Sequence, residues 1–209
     1  GLILFFANKK NILSYLNSDA LNRSRKKNGI ETVDYFRFSP FSASRIKKEV
    51  TYKNGENDFT YSHWYKNGQK EEEGNYIDGK SEGAYTRWYE NGQKEEVGGH
   101  KNDKSHGKFT KWHENGQKKS EAYFKEDFQV GKQTVWYESG QIRSELHWND
   151  GKLDGKQTEW DVNGEIKGEE NFKDGKLDGK QTKWDVNGQI EAEATFKDGE
   201  CISGDCPDD

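Results

Sequence analysis

The side chains here best suited to chemistry are five histidines, two cysteines, recurring Asp-Gly pairs and a series of tryptophans. His63, His100, His106, His113 and His147 are scattered, without the spacing of a metal site. No nucleophile elbow, phosphate loop or dinucleotide fingerprint accompanies them. Asp150-Gly-Lys-Leu-Asp154-Gly, and its copy from Asp174 to Gly179, offer oxygen ligands but match neither the EF-hand loop nor the glycine-rich calcium nonapeptide. Turn formation is what such Asp-Gly pairs supply most directly. Cys201 and Cys206 enclose four residues including Gly204, a spacing open to a small disulfide loop or to two free thiols, and unlike redox or zinc pairs. These residues predict no enzyme, no metal and no cofactor.

What remains is a set of columns, and columns need a scaffold. Trp64, Trp88, Trp112, Trp136, Trp160 and Trp184 recur every 24 residues without insertion, each followed four residues later by a glycine, Gly68 through Gly188. A run rich in Thr, Trp and Tyr leads into Asn67-Gly68, Asn91-Gly92, Asn115-Gly116, Asn163-Gly164 or Asn187-Gly188, with Ser139-Gly140 as the variant. Asn-Gly between two such runs predicts a β-hairpin closed by a type I′ turn. A second turn, on Asn54-Gly55, Asp78-Gly79, Asp150-Gly151, Asp174-Gly175 or Asp198-Gly199, joins one hairpin to the next. The prediction is all-β: an elongated single-layer antiparallel sheet of tandem 24-residue hairpins, with a short, partly helical N-terminal segment.

Period-two alternation assigns faces. The Trp column shares its side of the first strand with Ser62, Thr86, Thr110, Thr134, Thr158 and Thr182. On the second strand Tyr76, His100, Phe124, Trp148, Phe172 and Phe196, with Gly74, Gly98, Ala122, Leu146, Glu170 and Ala194 two residues earlier, are expected to complete the same core face. The Glu column (Glu73, Glu121, Glu145, Glu169, Glu193) is expected to face away from that core as a solvated ladder. Tryptophans in a Thr-lined column read as core rather than as a row for stacking sugars or quaternary amines. The other side of the first strand is graded. It reads Tyr61-His63-Tyr65, Tyr85-Arg87-Tyr89 and Phe109-Lys111-His113, then Gln133-Val135-Tyr137, Gln157-Glu159-Asp161 and Gln181-Lys183-Asp185. Exposed Tyr and Arg are enriched in interface hot spots. This makes Tyr61, His63, Tyr65, Tyr85, Arg87, Tyr89, Lys111 and His113 the expected binding residues. The alternative is that a second layer, such as the N-terminal segment, packs there. His63 and His113 lie two repeats apart, too far for joint catalysis.

Composition fits this scaffold. Hydrophobic residues make up only 29 % of the 209 and charged residues 34 %, averages that point toward disorder. Yet aromatics reach 13 %, with seven Trp, 23 Gly and only two Pro, which suits many small hairpins with large anchors. One Trp and one further aromatic per unit make a thin core, so units must stack on their neighbours. The first 50 residues carry ten Lys and Arg against four Asp and Glu, whereas the array is acidic and the whole chain has a net charge of −5. An acidic array is not expected to bind nucleic acid, and any membrane contact falls to the basic N-terminal segment. Leu2-Ile-Leu-Phe-Phe-Ala7 is too short for a transmembrane helix and lacks the basic flank of a secretory signal. Compartment stays open between cytoplasm and cell envelope.

Four segments follow: a basic, partly helical stretch at 1–34, with Ile12, Leu13, Leu16 and Ala20 at helical spacing; a degenerate repeat or cap at 35–59; six repeats over 60–200; and a cap or tail at 201–209. The degenerate unit takes Tyr35–Phe38 as first strand and 46–52 as second, with Pro40 in the Trp position.

Trp-Tyr-Glu-Asn-Gly-Gln-Lys, with Tyr-x-Asp-Gly-Lys-x-x-Gly between copies, resembles the bacterial variant of the MORN repeat over about residues 46–202. The resemblance implies hairpins laid side by side in a long curved sheet. Some bacterial members carry the label of toxin–antitoxin antitoxins, and eukaryotic relatives are linked to lipid contact, dimerisation and scaffolding. The expected function is a non-enzymatic surface for an unnamed protein partner, with an antitoxin as one form of it. The alternatives are a choline- or sugar-binding envelope protein and a membrane-surface scaffold.

Overall fold

The structure, a computed structural model, describes residues 29–39, 42–52 and 58–207. These residues form strands and turns without a helix, in one open antiparallel sheet. The helical spacing expected from Ile12 to Ala20, the Pro40 position and the Asn54-Gly55 turn lie outside the described residues.

Strands β1 (Gly29–Ser39) and β2 (Ser42–Tyr52) pair as a long hairpin, and β2 continues into the array by pairing with β3 (Phe59–Trp64). The expected boundary at 34/35 thus falls inside β1. Glu49 pairs with Ser62 as Glu73 pairs with Thr86 one repeat later, so β2 holds the repeat register. On β1 the partner of Glu49 is Thr32, not a residue 24 before Ser62. The first strand of this unit is therefore longer than a repeat's, and the period stops at β2.

From β3 onward each repeat builds the same hairpin. The six first strands are β3, β6 (Gly83–Trp88), β9 (Gly107–Trp112), β11 (Phe128–Trp136), β14 (Gly155–Trp160) and β17 (Gly179–Trp184). Each pairs with its own second strand: β4 (Lys70–Ile77), β7 (Lys94–Lys101), β10 (Lys118–Lys125), β12 (Ile142–Asn149), β15 (Ile166–Lys173) or β18 (Ile190–Lys197). Two-residue strands β5 (Lys80–Ser81), β8 (Lys104–Ser105), β13 (Lys152–Leu153) and β16 (Lys176–Leu177) line the crossing from one hairpin to the next. At the far end β19 (Glu200–Gly204) adds a last strand to β18, and a disulfide joins Cys201 to Cys206 across a Cα separation of 5.7 Å.

The two turn types exchange the roles read from sequence. The Asp-Gly turns are the type I′ turns: both Asp78 (φ 49°) and Gly79 (φ 73°) are left-handed, and Asp150, Asp174 and Asp198 with their glycines repeat this. At Asn67-Gly68 only Gly68 is left-handed (φ 88°). Tyr65 N–H donates to the Gln69 carbonyl and Gly68 N–H to the Tyr65 carbonyl, the pattern of a three-residue loop whose glycine ends the turn.

Beyond that loop every second strand carries one extra residue opposite the end of the first. His63 faces Glu72 and Trp64 faces Lys70, leaving Glu71 as the bulge; Glu95, Lys119, Arg143, Lys167 and Glu191 take the same place later. The extra residue corrects the predicted faces. Ser62 pairs with Glu73, and Tyr61 with Gly74. The Glu column therefore shares the tryptophan face, while the aromatic column of the second strands shares the face of Tyr61.

That second face holds the tightest packing. Phe59 stacks on Tyr76 with centroids 4.7 Å apart, and Tyr85, His100, Phe109 and Phe124 follow edge to face at 5.1–6.0 Å. Phe109, Ala122, Ala194 and Phe196 are buried, although among the described residues no large side chain is sealed off completely, as a single layer requires. Opposed residues complement each other in size. Tyr61 lies over Gly74 and Phe109 over Gly98, where an added Cβ would enter the ring. In repeats four to six glutamines replace these aromatics, and hydrogen bonds replace ring contacts. Gln133 Oε1 accepts from Trp148 Nε1 (3.0 Å), His147 N–H donates to Gln157 Oε1 (2.9 Å), and Gln181 Nε2 donates to Glu170 (2.6 Å).

Candidate functional site

Most of the eight residues expected to bind a partner are engaged within the sheet. Tyr61 donates to Glu72 Oε1 (2.7 Å), and its ring lies 5.3 Å from that of His63. Burial first, and then Glu72, raise the Tyr61 phenol above the ordinary tyrosine range; burial does the same for Tyr85. Arg87 pairs with Glu96 (3.1 Å) and Glu95 (3.3 Å), and Lys111 meets the other oxygen of Glu96 at 3.2 Å. With Glu72 opposite Arg87, Arg87 opposite Glu96 and Glu96 opposite Lys111, one cross-strand row alternates in charge.

Tyr65, Tyr89 and His113 do something sequence reading missed. The Tyr65 hydroxyl donates to the carbonyl of Trp88, one repeat ahead, at 2.7 Å. Tyr89 reaches the Trp112 carbonyl (2.7 Å), His113 Nε2 the Trp136 carbonyl (3.2 Å) and Tyr137 the Trp160 carbonyl (2.8 Å). Beside them Asn67, Asn91 and Asn115 donate to carbonyls of Glu90, Glu114 and Glu138. In the last two repeats the tyrosine becomes Asp161 or Asp185, which accepts two amides of its own turn instead. The grading of this face is thus a change from between-repeat latches to within-repeat caps. The 24-residue recurrence of a hydroxyl or imidazole beside the turn was the available signal. The opposite edge is stapled too: Asp154 accepts the Asp174 amide and pairs with Lys173 at 3.0 Å, which gives those Asp-Gly loops a turn role.

The tryptophan face is graded in a different way. Because Trp64 opposes Lys70, and each later Trp its own counterpart, one row of alternating side chains crosses the sheet. In the first three repeats the counterparts are Lys70, Lys94 and Lys118; Lys70 lies 5.5 Å over the Trp88 ring, and Lys118 equally over Trp136. In the last three they are Ile142, Ile166 and Ile190. The turn position held by Lys66, Glu90, Glu114 and Glu138 becomes Val162 and Val186. All five aliphatic side chains are exposed, Val186 by 87 % and Ile190 by 59 %. A stripe of Ile142, Trp160, Ile166, Trp184 and Ile190 results, spanning five strands or roughly 19 Å, with Trp136 at its margin under Lys118.

The MORN repeat variant matches residues 60–78, 81–102, 105–126, 129–150, 153–174 and 177–198, in step with the six hairpins. The chain belongs to the MORN repeat variant family. MORN repeats form a repeat-protein scaffold, and the family is generally non-catalytic. No curated protein matches the chain significantly. Among the described residues no group of three or more His, Cys, Asp or Glu is arranged to hold a metal.

Proposed function

We propose that this MORN array is a non-catalytic scaffold that binds a protein partner through the apolar stripe of repeats four to six. The observation that supports it is the replacement of Lys by Ile beside Trp in the later repeats, on a backbone that does not change. A lysine over a Trp ring covers it and keeps the row hydrated; isoleucine leaves a contiguous apolar surface in water, a feature that marks interaction sites. An antitoxin-type role is one form of this reading, with the stripe covering a toxin surface.

The test restores lysine. Ile142→Lys, Ile166→Lys and Ile190→Lys together recreate the Trp–Lys row of repeats one to three, so folding is expected to persist, as checked by thermal melting. A fully buried isoleucine contributes about 1.5–3 kcal/mol, so the triple variant should weaken a partner isolated from the native source by roughly a hundredfold or more. Crosslinks from that partner should map to repeats four to six. Equal binding by both proteins, or a partner contacting only the other face, overturns the reading.

A further inference from the structure

We infer that a depression beside Glu73, on the tryptophan face of repeats one and two, is a binding site for an alkylammonium group. The array supplies its own template. In repeats three to six the glutamate of this column is met by a lysine from the neighbouring strand: Lys108 to Glu121 at 2.8 Å, Lys132 to Glu145 at 2.5 Å, Lys156 to Glu169 at 2.6 Å and Lys180 to Glu193 at 2.5 Å. Glu121 takes a second lysine as well, Lys118 at 3.0 Å. Glu73 has the equivalent of Lys118, since Lys70 lies at 2.6 Å. The place of Lys108 is taken by Thr60, and in repeat two by Ala84.

Those short side chains leave a depression of about 340 Å³, whose lining includes Thr60, Ser62, Glu73, Asn75, Ala84 and Thr86, with Tyr61 and Gly74 between them. Register places the first six on one face. Glu73 is 42 % exposed, against 22 % for Glu121 and 27 % for Glu145 and Glu169 beneath their lysines, with Glu193 of the last hairpin at 40 %. A carboxylate ringed by hydroxyl groups, whose oxygens accept as well, takes hydrogen bonds from an ammonium. The four lysines show that the sheet geometry admits an Nζ at this place with a stem lying along the face. A lysine side chain from a partner and a free amine carry the same group. This site lies at the other end of the array from the apolar stripe and stands whether or not the stripe is a contact.

Titration of the full chain, followed by backbone amide shifts, separates the outcomes. The probes are a lysine-centred peptide, its norleucine counterpart and butylammonium chloride. The lysine peptide should give saturable shifts at Ser62, Glu73 and Thr86, with a dissociation constant on the order of millimolar, as suits an exposed ion pair. Norleucine should give none. Tighter binding of the peptide than of butylammonium identifies a partner's lysine as the ligand, and equal binding a free amine. Thr60→Lys, which copies an arrangement the protein uses four times, should fill the depression and abolish the shifts; Glu73→Gln should do the same. No localised shifts in the wild type, or shifts that persist in folded Thr60→Lys, overturn the inference.

Discussion

Tyr65 and Tyr89 show how one hydroxyl per repeat can set the coupling between units. Each side chain leaves its own hairpin and caps a carbonyl at the end of the next first strand, at 2.7 Å. A single-layer sheet has few other means of holding a turn edge together, because no second layer packs on it among the described residues. Loss of one such hydrogen bond costs about 0.5–1.5 kcal/mol. In a linear array that cost falls on one interface and not on the whole chain. Tyr65→Phe and Tyr89→Phe should each lower the unfolding free energy read from urea titration by an amount in that range, while leaving the aromatic packing intact. His113 makes the same contact less closely, at 3.2 Å, so His113→Tyr should match or exceed the wild type. If His113→Tyr destabilises as much as Tyr89→Phe does, the latch is not what couples these units.

Hairpins at the two ends are held by different chemistry, and pH should separate them. Among the described residues, the carboxyls held below their usual range lie from repeat three onward. Lys108 and then Lys118 lower Glu121; Lys173 and the Asp174 amide lower Asp154; turn amides lower Asp161 and Asp185; Lys197 and the Asp198 amide lower Asp178. A depressed carboxyl stabilises the fold above its unfolded value, about 4, and that contribution disappears as pH falls through the folded value. Tyr61 and Tyr85, in repeats one and two, have phenols raised by burial. Their contribution is complete below the ordinary value of about 10 and disappears as pH rises through the raised ones. Acid should therefore loosen the C-terminal hairpins first and base the N-terminal ones. Methyl NMR signals of Ala194 and Ala84 report the two ends. Acid should collapse the dispersion of Ala194 first, and alkali that of Ala84. Simultaneous loss in both directions would show that these groups do not control the ends.

For the molecule as a whole, the repeat, its length and the places of both turns, though not their types, were legible in sequence because 24-residue spacing is a property of the chain itself. The faces of the second strands were not. Their parity depends on a bulge at Glu71 and its equivalents, and one uncounted residue turns every later side chain over. The roles of the expected contact residues within the sheet were not legible for a related reason: Tyr65 and Tyr89 find their partners 23 residues on, a relation that only the stacked sheet creates. Strict periodicity has a further consequence that can be measured. Residues 150–158 and 174–182 share the sequence Asp-Gly-Lys-Leu-Asp-Gly-Lys-Gln-Thr. Deleting residues 153–176 therefore removes one whole hairpin and leaves every local sequence at the junction unchanged. Each interface along the array uses the same register, Glu145 on Thr158 and Glu169 on Thr182, so β12 should accept β17 in place of β14. The shortened chain should fold, with small-angle scattering showing a maximum dimension reduced by about 10 Å, two strand spacings. Deleting only residues 153–164 should not, because it joins a second strand to a second strand and removes the Trp160 column. A full-repeat deletion that fails to fold, or a half-repeat deletion that folds equally well, would mean that long-range contacts and not nearest-neighbour register hold the array.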